Sequence, residues 1–147
     1  MSERDLVTGV IQLANLLTRR LGPVFEKAKI TPQQWSVLSA LAAEEAPVTL
    51  VGLARRLGVT KQNMTGMMSR LEQLGVAERN DDPQDLRSSR VQLTRRGKAL
   101  VEKLRPAYEE WIASIGEGAV SERELQALTR TVERLIEALE DPARSAG

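Results

Sequence analysis

The stretch GVTKQNMTGMMSRLEQLGV, residues 58–76, carries its own punctuation. Gly58 closes the element before it, Thr60 offers a side-chain oxygen to the first free N–H groups of a new helix, and Gly75 stops that helix. At helical spacing Met64, Met67, Met68, Leu71 and Leu74 share one side. The other side holds Gln62, Thr65, Gly66, Ser69 and Gln73, with Lys61 and Arg70 on its flanks. An ordinary surface helix shows Glu and Lys there. This face is uncharged at its centre and rich in amides and hydroxyls, the groups that match base edges in a major groove.

Upstream, TLVGLARRLG (residues 49–58) reads as a short helix capped by Thr49, with Leu50, Leu53, Ala54 and Leu57 facing inward. Before it, TPQQWSVLSALAAEE (31–45) opens with Thr31 as cap, Pro32 in the first helical position and Gln34 completing a capping box. Trp35, Leu38, Leu41 and Ala42 are expected on its inner face. The first segment steps Leu6, Val10, Leu13, Leu17, Leu21 and Val24, a long amphipathic helix that Gly22-Pro23 should kink or loosen near its end.

Downstream the period changes. VAERN and SRVQL flank the polar DDPQDLRS, in which Asp82-Pro83 favours a turn. Val91 and Leu93 alternate with Arg90 and Gln92, so residues 76–93 read as a two-stranded hairpin with a long tip; PVTL (47–50) can add a short third strand. Thr94 caps a fifth helix with Leu100, Leu104, Tyr108, Trp111 and Ile115 in one stripe, which Pro106 should bend or break. SERE from Ser121 is another capping box, opening a sixth helix striped by Leu125, Leu128, Val132, Leu135, Ile136 and Leu139. The closing PARSAG is expected to fray.

Composition narrows the function. The chain has 147 residues, 41% of them hydrophobic, enough for one domain with a core that only four aromatics enter. It has no cysteine and no histidine, which removes disulfides, thiol sensing, thiolate metal sites and the commonest catalytic acid–base. An enzyme or a metal protein is the poorest fit, and no cofactor is expected. The opening MSERDL is charged at once and no apolar run is long enough to span a bilayer, so a soluble cytoplasmic protein without membrane contact is the expectation. Net charge is +1, unevenly spread. Residues 49–100 carry ten basic and five acidic side chains (+5), the remainder eleven and fifteen (−4). A basic middle between acidic ends suits a polyanionic partner.

Two capped helices about a glycine turn, followed by a hairpin with a charged tip, make a winged helix-turn-helix: a mainly α fold with a small β-hairpin wing. Lys61, Gln62, Asn63, Thr65 and Ser69 are the expected major-groove contacts, with Arg70 on a phosphate. At the wing, Asp85 two residues before Arg87 can hold the guanidinium for insertion into a minor groove, and Arg90 is placed to meet the DNA backbone.

The run LGVTKQNMTGMMSRLEQLGVAERNDDPQDLRSSRVQLTRRGKAL (57–100) resembles the MarR family of bacterial transcriptional regulators, in its RLEQLG helix end, its DPQDLRS wing and the VQLTRRGKAL that leads into a long helix. The likeness extends in element order to the whole chain. It implies a homodimer with N-terminal (1–30) and C-terminal (97–147) dimerisation helices around a DNA-binding region (31–96). The partner implied is a pseudopalindromic double-stranded operator, and the role implied is that of a repressor. By position, residues 60–74 are the recognition helix and Arg87 with Asp85 the wing pair. Many members release DNA on binding a small aromatic effector. Trp35 and Trp111, and more weakly Leu13, Leu16 and Leu17, are candidates to line such a pocket, or are core. Gly66 and Leu86 depart from the family pattern, which often has arginine at both. That leaves altered specificity, or a dimeric interaction protein on the same fold with weakened or lost DNA binding.

Overall fold

The structure, a computed structural model, describes residues 5–82 and 84–140; the side chains of Asp82, Asp85, Leu86, Arg87 and Ser88 lie outside that description. PARSAG (142–147) lies outside it too. The elements are α1 (Leu6–Phe25), a 3-10 turn (Glu26–Ala28), α2 (Pro32–Ala42), β1 (Val48–Thr49), α3 (Leu50–Leu57), α4 (Lys61–Gln73), β2 (Ala77–Asp82), β3 (Asp85–Leu93), α5 (Arg95–Ser114) and α6 (Glu122–Glu140). The chain divides into two compact units, residues 1–109 and 110–147.

The helix starts follow from local caps. Thr31 accepts from the Gln34 N–H while the Gln34 side chain accepts from the Thr31 N–H, the full capping box, with Pro32 in the first turn. Ser121 and Glu124 form the same reciprocal pair before α6. Asp5 caps α1 by accepting from the Thr8 N–H at 2.8 Å, and these hydrogen bonds to Thr8 hold its carboxyl below the usual range.

In the first unit, buried side chains from α1 through α5 make one core, among them Phe25, Val37, Leu38, Met64, Met68, Leu71, Val91 and Val101. α2 buries more than one stripe: Trp35, Val37, Leu38, Ala40 and Leu41 are inside, whereas Ala42, expected inward, is exposed. It is the last helical residue, where the chain turns away toward β1. Two prolines lie inside helices that do not break at them. α1 runs through Gly22-Pro23 to Phe25, and α5 through Pro106 to Ser114. Pro106 and Glu102 are both exposed, so the Glu102 carbonyl that loses its helical donor can turn to water and the helix survives.

The sheet has the order β1-β3-β2, antiparallel throughout. Ala77 pairs with Leu93 and Arg79 with Val91. Ala77, Val91 and Leu93 are buried, while Asn80 opposite Arg90 faces solvent. The hairpin tip is shorter than the sequence pattern implies. The strands continue to Asp82 and from Asp85, past an irregularity between Asn80 and Asp82. Here apolar alternation has ended, and polar cross-strand bonds extend the pairing instead. Ser89 Oγ donates to Asp81 Oδ1 at 2.6 Å there, while nearer the base Gln92 Nε2 donates to Glu78 Oε1 at 2.6 Å within the apolar alternation.

The second unit contains the end of α5, the turn with Gly116 and Gly118 at positive φ, and α6. No residue of α6 is buried, and the apolar stripe Leu128, Val132, Leu135, Ile136 and Leu139 is between 41% and 76% exposed.

Candidate nucleic-acid interface

Thr49 is the first hinge of the site. It ends β1, where it pairs with Arg90 of β3, and its Oγ1 accepts from the Gly52 N–H at 3.1 Å as the cap of α3. The sheet that carries the wing therefore also sets where α3 begins. Leu50, Leu53 and Ala54 anchor α3 in the core. Gly58 then takes the left-handed conformation at φ +69°, its N–H returning to the Ala54 and Arg55 carbonyls. Two residues later Thr60 Oγ1 accepts from the Asn63 N–H at 3.0 Å and α4 starts.

α4 presents what its sequence promises. Met64, Met68 and Leu71 are buried and Met67 and Leu74 partly so, which turns Lys61, Gln62, Asn63, Gly66, Ser69, Arg70 and Gln73 to solvent. Thr65 is half-buried. Both hydroxyls on this face bond back to the helix: Thr65 Oγ1 donates to the Lys61 carbonyl at 2.9 Å, and Ser69 Oγ to the Thr65 carbonyl at 3.0 Å. Their outward capacity is thus that of acceptors. A Cβ built on Gly66 meets nothing within 4 Å, so the glycine leaves open space and not a packing contact.

The end of α4 is stitched to the wing and to α5 by Thr94. Its Oγ1 donates to the Gly75 carbonyl at 2.7 Å and accepts from the Gly97 N–H at 3.1 Å, while its own N–H donates to the Val76 carbonyl at 3.1 Å. Gly97 packs so closely here that a Cβ on it would lie 1.8 Å from the Val76 oxygen. Reading the sequence locally finds Thr94 as a cap. It misses Gly97, whose constraint comes from a residue 21 positions earlier; the LTRRG spacing is the one local trace of it.

Charge completes the surface. Lys61, Arg70 and Arg90 are exposed and make no ion pair among the described residues. Arg55 on α3 is also exposed and makes no ion pair among them, a cation outside the sequence-predicted contacts. Arg56 is tied to Glu44 at 2.7 Å and Arg79 contacts Asp81 at 3.5 Å. The side chains of Asp85 and Arg87 lie outside the described residues; their backbones belong to β3, next to the turn.

The aromatic candidates separate. Trp35 is 2% exposed in the core, stacked on Phe25 at 4.9 Å and tilted against Tyr108 at 5.1 Å, and its indole N–H has no partner among the described residues. Trp111, in the second unit, is half-buried. On α1, Leu13 and Leu16 are exposed and Leu17 half-buried. A cavity of about 240 Å³ lies between the end of α2, β3 and the start of α5, lined by Leu41, Glu44, Val91, Lys98 and Glu102 among others, and none of these five candidates borders it. Among the described residues no cluster of three potential ligands could hold a metal ion, and no helix is long and apolar enough to cross a membrane.

The same architecture occurs in proteins of known role. The model of the MarR family matches residues 28–88, from the turn before α2 to the first half of β3. The transcriptional activatory protein BadR of Rhodopseudomonas palustris is 32% identical over 135 residues, covering 90% of this chain and 75% of the relative. The homoprotocatechuate degradative operon repressor of Escherichia coli is 27% identical over 132 residues, covering 90% and 88%. The crystal structure of NadR in complex with 4-hydroxyphenylacetate superposes with a TM-score of 0.74 at 26% identity, covering 92% of this chain and 96% of that one. A winged helix-turn-helix with a groove-shaped α4, in a chain this similar to such regulators over nine-tenths of its length, makes this protein a member of the MarR family of transcriptional regulators.

Proposed function

We propose that the protein acts in the bacterial cytoplasm as a homodimeric repressor, each protomer laying α4 into the major groove of one half of a pseudopalindromic operator. Residues 31–96 supply the DNA-binding region; residues 1–30 and 97–147 supply the dimer. Lys61, Gln62, Asn63, Thr65 and Ser69 meet base edges, Arg70 a phosphate, Arg87 the minor groove with Asp85 orienting it, and Arg90 the backbone. The observation that carries this reading is the face of α4, uncharged hydrogen-bonding groups between Lys61 and Arg70, two cations that no carboxylate neutralises among the described residues. The exposed apolar stripes of α1 and α6 support the dimer, since a chain leaving Leu6, Val10, Leu128 and Ile136 in water gains by covering them. With these cations in place, Gly66 and Leu86 change what is recognised and do not abolish binding. A dimer seated in the groove blocks a promoter without further contacts, and one relative is by name an operon repressor.

Release by a small aromatic acid is the second half of the proposal. Its support is the 4-hydroxyphenylacetate in the similar NadR structure.

The test is fluorescence anisotropy against labelled DNA from upstream of the coding region, over a salt series and with scrambled competitor. Affinity should fall steeply with salt and resist the competitor. Arg87→Ala should weaken binding about tenfold on most sequences and flatten the salt slope by roughly one per wing. Equal, weak binding to both DNAs would overturn the reading if random-sequence selection also enriched nothing.

A further inference from the structure

α4 has a hollow at its centre. Around a helix the neighbours of residue 66 are residues 62, 63, 69 and 70, so Gln62, Asn63, Ser69 and Arg70 form a rim about a position with no side chain. The space above Gly66 is open: apart from its chain neighbours and the helix's own backbone, no heavy atom lies within 4 Å of where its Cβ would be. Beside it, Thr65 has turned its hydroxyl proton to the Lys61 carbonyl, and across it Ser69 has turned its proton to the Thr65 carbonyl. The floor of the hollow is therefore the bare Cα of Gly66. The donors available are confined to the rim.

We propose that this hollow receives the C5-methyl group of a thymine, making Gly66 a specificity-determining residue of the recognition helix. The proposal rests on α4 being the groove reader and adds which base it reads. Three features of the chemistry converge. A thymine methyl is the apolar projection of the major-groove edge, and a hollow one side chain deep on a helix surface matches its size. Guanine at the same position would present O6 and N7, two acceptors that would lose water against a floor with no N–H or O–H to offer. The adenine paired to that thymine offers N6–H, which the remaining lone pairs of Ser69 Oγ or the Gln62 amide can accept. Glycine does here what no other residue can: it brings the helix axis closer to the base edge while leaving nothing polar to satisfy.

The experiment uses the full chain. An operator is first obtained by selection from a random double-stranded library. Each thymine is then replaced in turn by uracil, which removes the methyl and keeps every hydrogen-bonding group. Affinities are measured for the native protein and for Gly66→Ala. Alanine is a better helix former than glycine and its Cβ meets no atom, so this variant folds. Native protein should lose affinity about fourfold per half-site at one symmetry-related thymine, the worth of one buried methyl. Placing 5-methylcytosine at that position should weaken binding less than cytosine does. In Gly66→Ala the added methyl fills the hollow, and thymine and uracil should bind alike. A uracil scan flat within about twofold at every thymine, or an unchanged thymine-to-uracil ratio in Gly66→Ala, overturns the inference while leaving DNA recognition by α4 standing. A selection that enriches no sequence overturns both.

Discussion

The middle of the chain, from α2 through the start of α5, carries most of its large apolar side chains inward, whereas α6 carries its apolar stripe outward, as α1 does along its first three turns. In the first unit Phe25, Leu38, Met64, Met68, Leu71, Val91 and Val101 are all less than 2% exposed, and every helix start and strand end near α4 is tied by a named hydrogen bond. In the second, α6 is as periodic as any helix of the protein, yet none of its residues is buried. The difference shows that amphipathic periodicity states only that a face will be covered. For α2 to the start of α5 the covering elements are in the same chain; along α1 and α6 the apolar stripe is left open among the described residues.

The largest effect should come from attacking that uncovered stripe. In the proposed dimer, Leu128→Glu with Ile136→Glu places four charges on the α6 stripe, at an expected cost of at least about 4 kcal/mol in dimerisation, from four aliphatic side chains each losing partial burial. Sedimentation should show monomers, while the circular dichroism of the variant stays helical. A dimer of unchanged affinity would mean that α6 is covered by something else.

Gly97→Ala attacks the closed unit instead. Its Cβ collides with the Val76 carbonyl, which also accepts the Thr94 N–H, so α4, the wing and α5 cannot all keep their places. The expected loss is about 3 kcal/mol, read as a lower urea midpoint at fixed protein concentration. A loss below about 1 kcal/mol would show that the junction yields.

Thr60→Ala is milder. It removes the acceptor of the Asn63 N–H and should cost about 1 kcal/mol. Because α4 then frays at the end nearest the bases, DNA affinity should fall more than global stability does. Proportional losses would indicate that the first turn of α4 is held by its buried Met64 alone.

The smallest effect concerns Asp5, at the start of α1. Its folded pKa is lowered, through hydrogen bonds from Thr8, below the ordinary value of 3.8. The stability it adds is therefore complete above that value and disappears as pH falls below it. The melting-temperature gap between native protein and Asp5→Ala should be constant near neutral pH and close in acid. A gap that persists to pH values well below the ordinary carboxylate range would refute the assignment.

Five of the helix starts were legible because caps act over three residues: Thr31, Thr49, Thr60, Thr94 and Ser121 each bond the N–H that the sequence spacing indicates. The apolar face of α4 and the alternation of Val91 and Leu93 were legible for the same reason, since their periods are properties of one element. The solvent-facing residues of α4 followed by subtraction from that face. Other features were silent locally. Polar pairs such as Ser89 with Asp81 lengthen the wing where no apolar pattern marks it. Pro23 reads as a kink or loosening and Pro106 as a bend or a break; both helices continue through them, the bonds they remove lying at exposed positions.

What the residues determined alone was therefore each element, its ends and its two faces, because these depend on neighbours within one or two turns. Tertiary structure decided which apolar face is closed and which stays open, why Gly97 tolerates no side chain, and that Gly66 leaves a space and not a contact. Those properties belong to atoms that meet only when distant parts of the chain are brought together, and no local spacing encodes a distance between them.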